Sequence, residues 1–269
     1  MGPSSGSRRL LGVLSALVLV FVYAPLALVV VNSFNTSRSF AWPPDGFTTE
    51  WWVAAWHSQA ARDAVWVSVQ VAVVATAVAL VLGTMAAMAL SRYRFFGRDT
   101  VSLLIILPIA LPGVVTGIAL SNAFQTILDI PLGFLTLVIA HATFCIVTVF
   151  NNSIARLRRL GSSLEEASMD LGAGPVRTFA TITFPMMRSA LLAGALLSFA
   201  LSFDEIIVTT FTAGAGIQTL PIWIFQNLFR PNQGPIVTVV AAVLILLSVV
   251  PIWLAQRLGG ADEGITSSR

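Results

Sequence analysis

The chain has 269 residues, of which 57% are hydrophobic and only 10% are charged, and its mean hydropathy is +0.87. Ordinary soluble domains carry about 25% charged residues, so this composition excludes that class and indicates an integral membrane protein. The formal net charge is +3, but every basic residue is an arginine, and nearly all arginines flank apolar runs instead of forming one patch. This distribution argues against a nucleic-acid partner.

Six stretches of the chain are long and apolar enough to cross a membrane. About 20 apolar residues are needed to span roughly 30 Å of hydrocarbon. We therefore predict an all-α membrane protein with six transmembrane helices. In chain order the predicted spans are 10–31, 64–90, 101–124, 132–150, 189–212 and 236–258.

The segments outside these spans define the remaining organisation. Residues 1–9 and 259–269 are rich in glycine, serine or polar side chains, and we expect both tails to be disordered. The first span and an external loop occupy 10–62, and the core with the other five spans occupies 63–258. Arg8 and Arg9 before an apolar run imitate a cleavable signal, but this run is too long and favours an uncleaved anchor.

Arginines predict the orientation of this bundle. Of the 15 basic residues, 12 lie in the two tails, in the loops after the second and fourth spans, or, for Arg257, at the end of the last span. Only Arg38, Arg62 and Arg230 lie in the alternate segments. Because positive charge accumulates in cytoplasmic loops, both termini and the loop 151–188 are predicted to be cytoplasmic.

Several spans carry packing signals. Small residues recur every fourth position in two of them, which lets another helix approach closely. Pro108 and Pro112 remove backbone donors from the third span and predict a kink or an unwound segment, either as a packed kink or as a gate hinge. The two small-residue stripes are Ala75, Ala79, Gly83 and Ala87 in the second span, and Ala190, Gly194, Ser198 and Ser202 in the fifth.

Outside the membrane, a tryptophan-rich segment follows the first span. Trp51, Trp52 and Trp56 would form one indole-rich face if residues 48–60 make a short helix. Such a face is typical of an interfacial anchor, with contact to a partner as the alternative.

Helix-capping, glycine and proline preferences also predict the structure of the loop 151–188. Ser162 with Glu165, or Ser163 with Glu166, fits a capping box that starts a helix near residue 163. Gly172 is placed to end this helix in a left-handed conformation. Pro175 then begins a second helix, which Pro185 is expected to stop. The predicted helix pair has a short apolar face, so it needs a partner.

Few residues in the chain can perform chemistry. There is no lysine, so a phosphate-binding P-loop is excluded, and the single cysteine forms no disulfide framework or metal cluster. We expect no enzymatic activity, metal or cofactor in this chain. Asp204 and Glu205 lie inside the fifth predicted span, where carboxylates cost about 2.5–3.5 kcal/mol and mark a pathway or a local hydrogen-bond network. His141 is expected to be a packed side chain, with a proton relay as the alternative.

The loop also carries the motif of a known family. Glu166-Ala167-Ser168, then Gly172, then Ile182 and Pro185 have the spacing of the "EAA" loop of ABC-importer permeases. Two further segments, Asn32-Ser33-Phe34-Asn35 and the sequence from Leu107 to Gly113, are similar to those of spermidine/putrescine permease subunits. The chain resembles these subunits over nearly its whole length. Ser168 and Phe184 depart slightly from the motif, and Gly113 stands where close relatives often have an acidic residue.

This resemblance implies a type I ABC-importer permease in the bacterial plasma membrane. It implies three partners: a second permease, an ATPase dimer that binds ATP and Mg²⁺, and an extracytoplasmic binding protein that delivers substrate. The six motif residues from Glu166 to Pro185 would form the ATPase-coupling loop. From their positions inside predicted spans, and not from the resemblance, we expect Pro108, Pro112 and at least one of Asp204 and Glu205 to line the pathway for polyamines or related organic cations.

Two alternatives remain at this point. One is a permease for another small solute, such as a modified amino acid. The other is a proton-coupled carrier that uses Asp204, Glu205 and His141 as a relay. The second leaves the cytoplasmic helix pair unexplained.

Overall fold

The computed structural model describes residues 5–40, 42–230 and 232–259. Within these ranges the chain is helical, and the one strand-like pairing is a β-bridge between Asn35 and Phe47, which confirms the predicted all-α class. Its α-helices are α1 (Ser5–Asn32), α2 (Glu50–His57), α3 (Gln59–Arg92), α4 (Arg98–Ala110), α5 (Gly113–Asn122), α6 (Phe134–Leu160), α7 (Ser163–Asp170), α8 (Pro175–Thr178), α9 (Phe184–Phe203), α10 (Ile207–Thr212), α11 (Leu220–Asn227) and α12 (Gly234–Gly259). Two π-helical turns are π1 (Ala123–Ile127) and π2 (Phe179–Thr183).

Four helical segments of the described chain are long and apolar enough to cross a membrane. A fifth is the pair α4 and α5, whose axes bend by 107° at the break between them. The four straight segments are Gly6–Asn32, Gln59–Arg92, Phe134–Leu160 and Pro175–Phe203. The last predicted span, 236–258, lies in α12, whose side chains are described only as far as Leu247.

The ends of the predicted spans are less accurate than their positions. α1 already begins at Ser5, so the residues from Ser5 to Arg9 are helical, whereas 1–4 and 260–269 lie outside the described residues. α6 continues to Leu160, ten residues beyond the predicted end, because Ile154 and Leu157 keep the apolar period and are buried.

The predicted fifth span, 189–212, is wrong at both ends. Helix α9 begins at Phe184 and ends at Phe203, and the chain leaves the helix at Asp204 before α10 begins. Polar side chains and backbone at this break replace the continuous apolar helix that hydropathy alone indicates.

Pro185 does not stop the second loop helix, contrary to prediction. The helical path runs from Pro175 to Phe203 as one segment. The π2 turn ends two residues before Pro185, and its wider backbone spacing shifts the hydrogen-bond register where the proline cannot donate. A local π-turn therefore absorbs the proline without ending the helix.

The described chain divides into two compact units. The first takes the chain up to Arg62 and from Ile224 onward, and the second is Asp63–Trp223. In the first unit, α12 packs against α1 and α2. The side chain of Asn35 organises the loop after α1, since its Oδ1 accepts hydrogen bonds from the backbone N–H groups of Ser37 at 3.0 Å and Asp45 at 3.3 Å.

The tryptophans of α2 do not form one exposed face, which corrects the prediction. The Nε1–H of Trp51 donates to the Asn35 carbonyl at 2.9 Å, and Trp52 stacks on Phe34 with ring centroids 5.0 Å apart. Only Trp56 is strongly exposed. Two of the three indoles therefore stabilise the external loop.

In the second unit, α6 is the central helix, and the predicted small-residue stripes pack against it. Ala75, Ala79, Gly83 and Ala87 are all buried. A Cβ atom at Gly83 would lie 2.9 Å from the carbonyl oxygen of Ile146. From the other side, Gly194 lies against Val149. Both stripes are thereby confirmed as helix-packing surfaces.

Candidate functional site

The loop between α6 and α9 forms a helix, a turn and a second helix. Helix α7 begins one residue after Ser162, close to the predicted start. The predicted capping box is wrong, because neither serine caps the helix. Instead the hydroxyl of Ser162 donates to Glu166 Oε1 at 2.5 Å. The Glu165 carboxylate pairs with Arg92 instead, and this competing ion pair explains the missing cap.

The turn after α7 has the predicted glycine-dependent geometry. Gly172 has a φ of 86°, in the left-handed region that favours glycine. Its N–H donates to the carbonyl of Met169 at 2.9 Å, and the N–H of Ala173 donates to that of Ser168 at 3.1 Å. These two bonds define a Schellman motif. Pro175 then occupies the first turn of α8, as predicted.

A largely buried ion pair ties this helix pair to a transmembrane helix. Arg92, the last residue of α3, places its Nε 2.6 Å from Glu165 Oε2, and the two side chains are only 19% and 15% exposed. The Thr183 hydroxyl donates to Glu165 Oε1 at 2.8 Å. Arg92 also donates to the carbonyl of Gly161 at 2.7 Å. Glu165 therefore joins α3, α7 and π2.

Sequence reasoning missed this cluster, which we call the Arg92–Glu165–Thr183 node. The arginine and the glutamate lie 73 positions apart, and no local rule links them. The one available signal was the doubled acid, Glu165-Glu166, because two adjacent side chains on a helix cannot share a direction. Glu166 remains exposed, while Glu165 turns inward.

The outer end of the helix pair is apolar and exposed. The side chains of Leu171 and Val176 are 90% and 83% exposed, on either side of the turn. Behind them, the hydroxyls of Ser168 and Thr178 lie 3.2 Å apart and connect α7 to α8. We call Leu171, Val176 and the turn between them the apolar tip. Such a rigid apolar projection is suited to binding another protein.

The other predicted site residues lie at or near the breaks in two spans. Pro112 precedes α5 at the 107° bend, confirming the predicted interruption, and Pro108 lies inside α4. A Cβ atom at Gly113 would lie 3.5 Å from the Ile207 side chain, so α5 and α10 begin side by side. Further along, Gly117 gives room to Phe211.

The two carboxylates at the second break have different surroundings. Asp204 follows the last residue of α9, and its side chain is exposed. Glu205 is partly buried, and its Oε1 accepts a hydrogen bond from the N–H of Val208 at 2.7 Å. This bond satisfies a free donor at the start of α10. Glu205 therefore stabilises the break, while Asp204 faces outward.

His141 lies beneath this break and is completely buried, as expected of a packed side chain. Its Nε2 lies 2.8 Å from the Thr209 hydroxyl, and its Nδ1 lies 2.8 Å from the Ser202 hydroxyl. Because Thr209 donates its own proton to the Glu205 carbonyl at 2.9 Å, the network assigns the ring hydrogen to Nε2. His141 thus joins α6 to both sides of the break.

This architecture is that of an ABC-transporter membrane subunit. A bacterial ABC transporter that imports the acidic polysaccharide alginate contains a chain of the same fold, with a TM-score of 0.70, 17% identity and coverage of 97% of this chain and 99% of that chain. Residues 79–260 match the family described as the binding-protein-dependent transport system inner membrane component. The chain belongs to this family.

Several relatives are similar over most of their length. The putrescine transport system permease PotI of Escherichia coli K12 is 36% identical over 232 residues, which are 84% of this chain and 82% of PotI. The spermidine/putrescine permease PotC of Haemophilus influenzae is 34% identical, over 90% of this chain and 93% of that protein. PotC of Escherichia coli K12 is 33% identical, with coverage of 95% and 96%. The resemblance stated from sequence is thereby confirmed.

Proposed function

We propose that this chain is a permease subunit of an ATP-driven importer for polyamines such as spermidine and putrescine, or related organic cations. The similarity to PotI and PotC over most of each chain supports this substrate class. The subunit would cross the membrane six times, with α12 as the last span and both termini in the cytoplasm. The arginine distribution supports this orientation.

The helix pair between α6 and α9 is proposed to be the coupling element that docks on the ATPase. Its six motif residues are Glu166, Ala167, Ser168, Gly172, Ile182 and Pro185. Glu166 and Ala167 are exposed and available to a partner, whereas Gly172 sets the turn that presents the apolar tip. Ser168 braces α7 against α8, and Ile182 and Pro185 lie where the loop enters the membrane helix.

The Arg92–Glu165–Thr183 node gives this docking element a mechanical connection. A force on the apolar tip would reach α3 through Arg92 and reach α9 through Thr183 and the π2 turn. ATP binding would draw two such elements together and open the paired permeases outward, and hydrolysis would reset them. ATP and Mg²⁺ would bind to the separate ATPase, and this chain would perform no bond chemistry.

The pathway is proposed to pass the two broken spans. Pro112 lies at the break in one, with Pro108 in the last turn of the helix before it, and Asp204 and Glu205 lie at the break in the other. Exposed carboxylate at this level favours a cation over an anion or a sugar. Gly113 has no acidic side chain, but it lies against Ile207, which is two residues after Glu205. Asp204 and Glu205 would therefore supply negative charge close to Gly113.

Uptake measurements test the substrate class. Cells with and without this chain are given labelled spermidine, labelled putrescine or a labelled neutral sugar. The proposal predicts chain-dependent uptake of at least one polyamine and none of the sugar. Equal polyamine uptake in both cell types, with chain-dependent uptake of another solute, would assign the permease to that solute instead.

A further inference from the structure

An apolar groove lies between α3 and α9, apart from both sites described above. Its volume is about 590 Å³. Phe179 and Phe184, whose ring centroids are 6.1 Å apart, form the end next to π2. Apart from Thr84, the side walls are apolar residues of the two helices, which include Leu80, Val81, Met85, Leu191, Leu192 and Ala195.

One charged side chain lines this groove. Arg188 lies in the second turn of α9, and its side chain is exposed. It forms no hydrogen bond or ion pair with any other residue that the structure describes, unlike Arg92 and Arg156, which are both paired. A cation one helical turn from the aromatic end of an apolar groove is complementary to an amphiphile with an anionic head.

The length of the groove matches one leaflet of a membrane. From Phe184 to Ala195, a rise of about 1.5 Å per residue gives about 16 Å, close to half of a roughly 30 Å hydrocarbon core. Three of the wall residues, Val81, Met85 and Leu192, are also about 60% exposed. The groove therefore opens on a wall suited to hydrocarbon.

We propose that this groove binds one anionic phospholipid, with its phosphate on Arg188 and an acyl chain along α3 and α9. The headgroup would lie at the level of the π2 turn, next to the entry into the coupling loop. Because the occupant touches Phe179 and Phe184, its presence would stabilise the junction between that loop and α9. This proposal depends on membrane location and not on the transported solute.

Native mass spectrometry of the full-length chain in detergent tests the site, with phosphatidylglycerol and phosphatidylcholine as probes. We expect phosphatidylglycerol to bind more tightly, and Arg188→Gln to weaken it about fivefold while leaving phosphatidylcholine unchanged. Arg158→Gln is the matched control, since Arg158 is exposed near the end of α6 and does not line the groove. Ala195→Trp, which fills the groove, should weaken both lipids.

Two results would overturn the proposal. One is an equal loss of phosphatidylglycerol binding in Arg188→Gln and Arg158→Gln, which would indicate diffuse surface charge. The other is displacement by inorganic phosphate alone, which would indicate an anion site without a lipid. A photoreactive amino acid at Leu192 adds a test in cells: cross-linking to lipid supports the proposal, and cross-linking to a second protein subunit refutes it.

Discussion

At the scale of single residues, the Arg92–Glu165–Thr183 node explains why two adjacent acids in the loop have different surroundings. Glu165 is held by the Arg92 guanidinium of α3 and the Thr183 hydroxyl of π2, while the hydrogen bond described for the Glu166 side chain comes from the neighbouring Ser162 hydroxyl. A carboxylate that joins a membrane helix to the docking helix is suited to transmit force. An exposed carboxylate beside it is suited to contact a partner.

Breaking the node should loosen the loop before it disrupts the fold. Glu165→Gln removes the counter-charge of the mostly buried Arg92, and we expect amide exchange in residues 163–173 to accelerate about 10- to 100-fold. Hydrogen exchange of the purified chain measures this. Arg94→Gln removes an exposed arginine two positions away and should have no effect. Unchanged exchange in Glu165→Gln would show that the ion pair does not hold the loop.

Substitutions of the two acids at the second break can distinguish the effect of their charge on uptake from the effect of helix capping on stability. Glu205→Gln keeps an oxygen that can accept from the Val208 N–H, so α10 should persist, whereas Glu205→Ala removes this acceptor at a cost of about 1 kcal/mol. If charge attracts the substrate, Asp204→Asn or Glu205→Gln lowers polyamine uptake at normal membrane abundance. Wild-type uptake in both variants would show that neither carboxylate contributes to the transport of the substrate.

At the scale of elements, the apolar tip is presented by a turn that only a few residues can form. Aspartate at Leu171 and Val176 should abolish co-purification of the ATPase, because desolvating two carboxylates in an apolar interface is costly. The thermal stability of the chain should not change, since both side chains are more than four-fifths exposed. Phe96→Asp is the control, an equally exposed apolar residue outside the helix pair. ATPase retention by the double variant would exclude the tip as the docking surface.

The contact of α3 with α6 depends on the absence of a side chain at Gly83. Alanine there would place a Cβ atom 2.9 Å from the Ile146 carbonyl, so the helices must separate, at a cost of about 1–3 kcal/mol. We expect lower thermal stability in detergent and lower abundance in the membrane. Gly12→Ala, in a helix with no heavy atom within 4 Å of the added Cβ, should match the parent. Equal stability of the two variants would contradict close packing at Gly83.

At the scale of the whole molecule, hydropathy predicted the helical class and the position of most spans. Small-residue spacing predicted the helix-packing stripes, and local rules predicted the turn at Gly172 and the break near Pro112. These features depend on residues close together in sequence. The end of α9 at Phe203 was missed because hydropathy averages over a window and does not register a helix break at Asp204.

The remaining features depend on contacts between distant segments. The pairing of Arg92 with Glu165 and the contacts of His141 with Ser202 and Thr209 require the tertiary arrangement. The cap at Ser162 was lost for the same reason, because a distant arginine binds the glutamate that local rules assign to the capping box. Tertiary electrostatics thus override local preference at the junctions between the loop and the membrane helices.

Identifying the energy source tests the central proposal most directly. Labelled spermidine uptake is measured in cells that express this chain and lack ATP synthase, so that ATP and the proton gradient can be varied separately. If a separate ATPase drives this permease, uptake stops when ATP is depleted and persists when a protonophore collapses the gradient. Uptake that stops with the protonophore while ATP remains high would contradict the proposal and indicate a proton-coupled carrier.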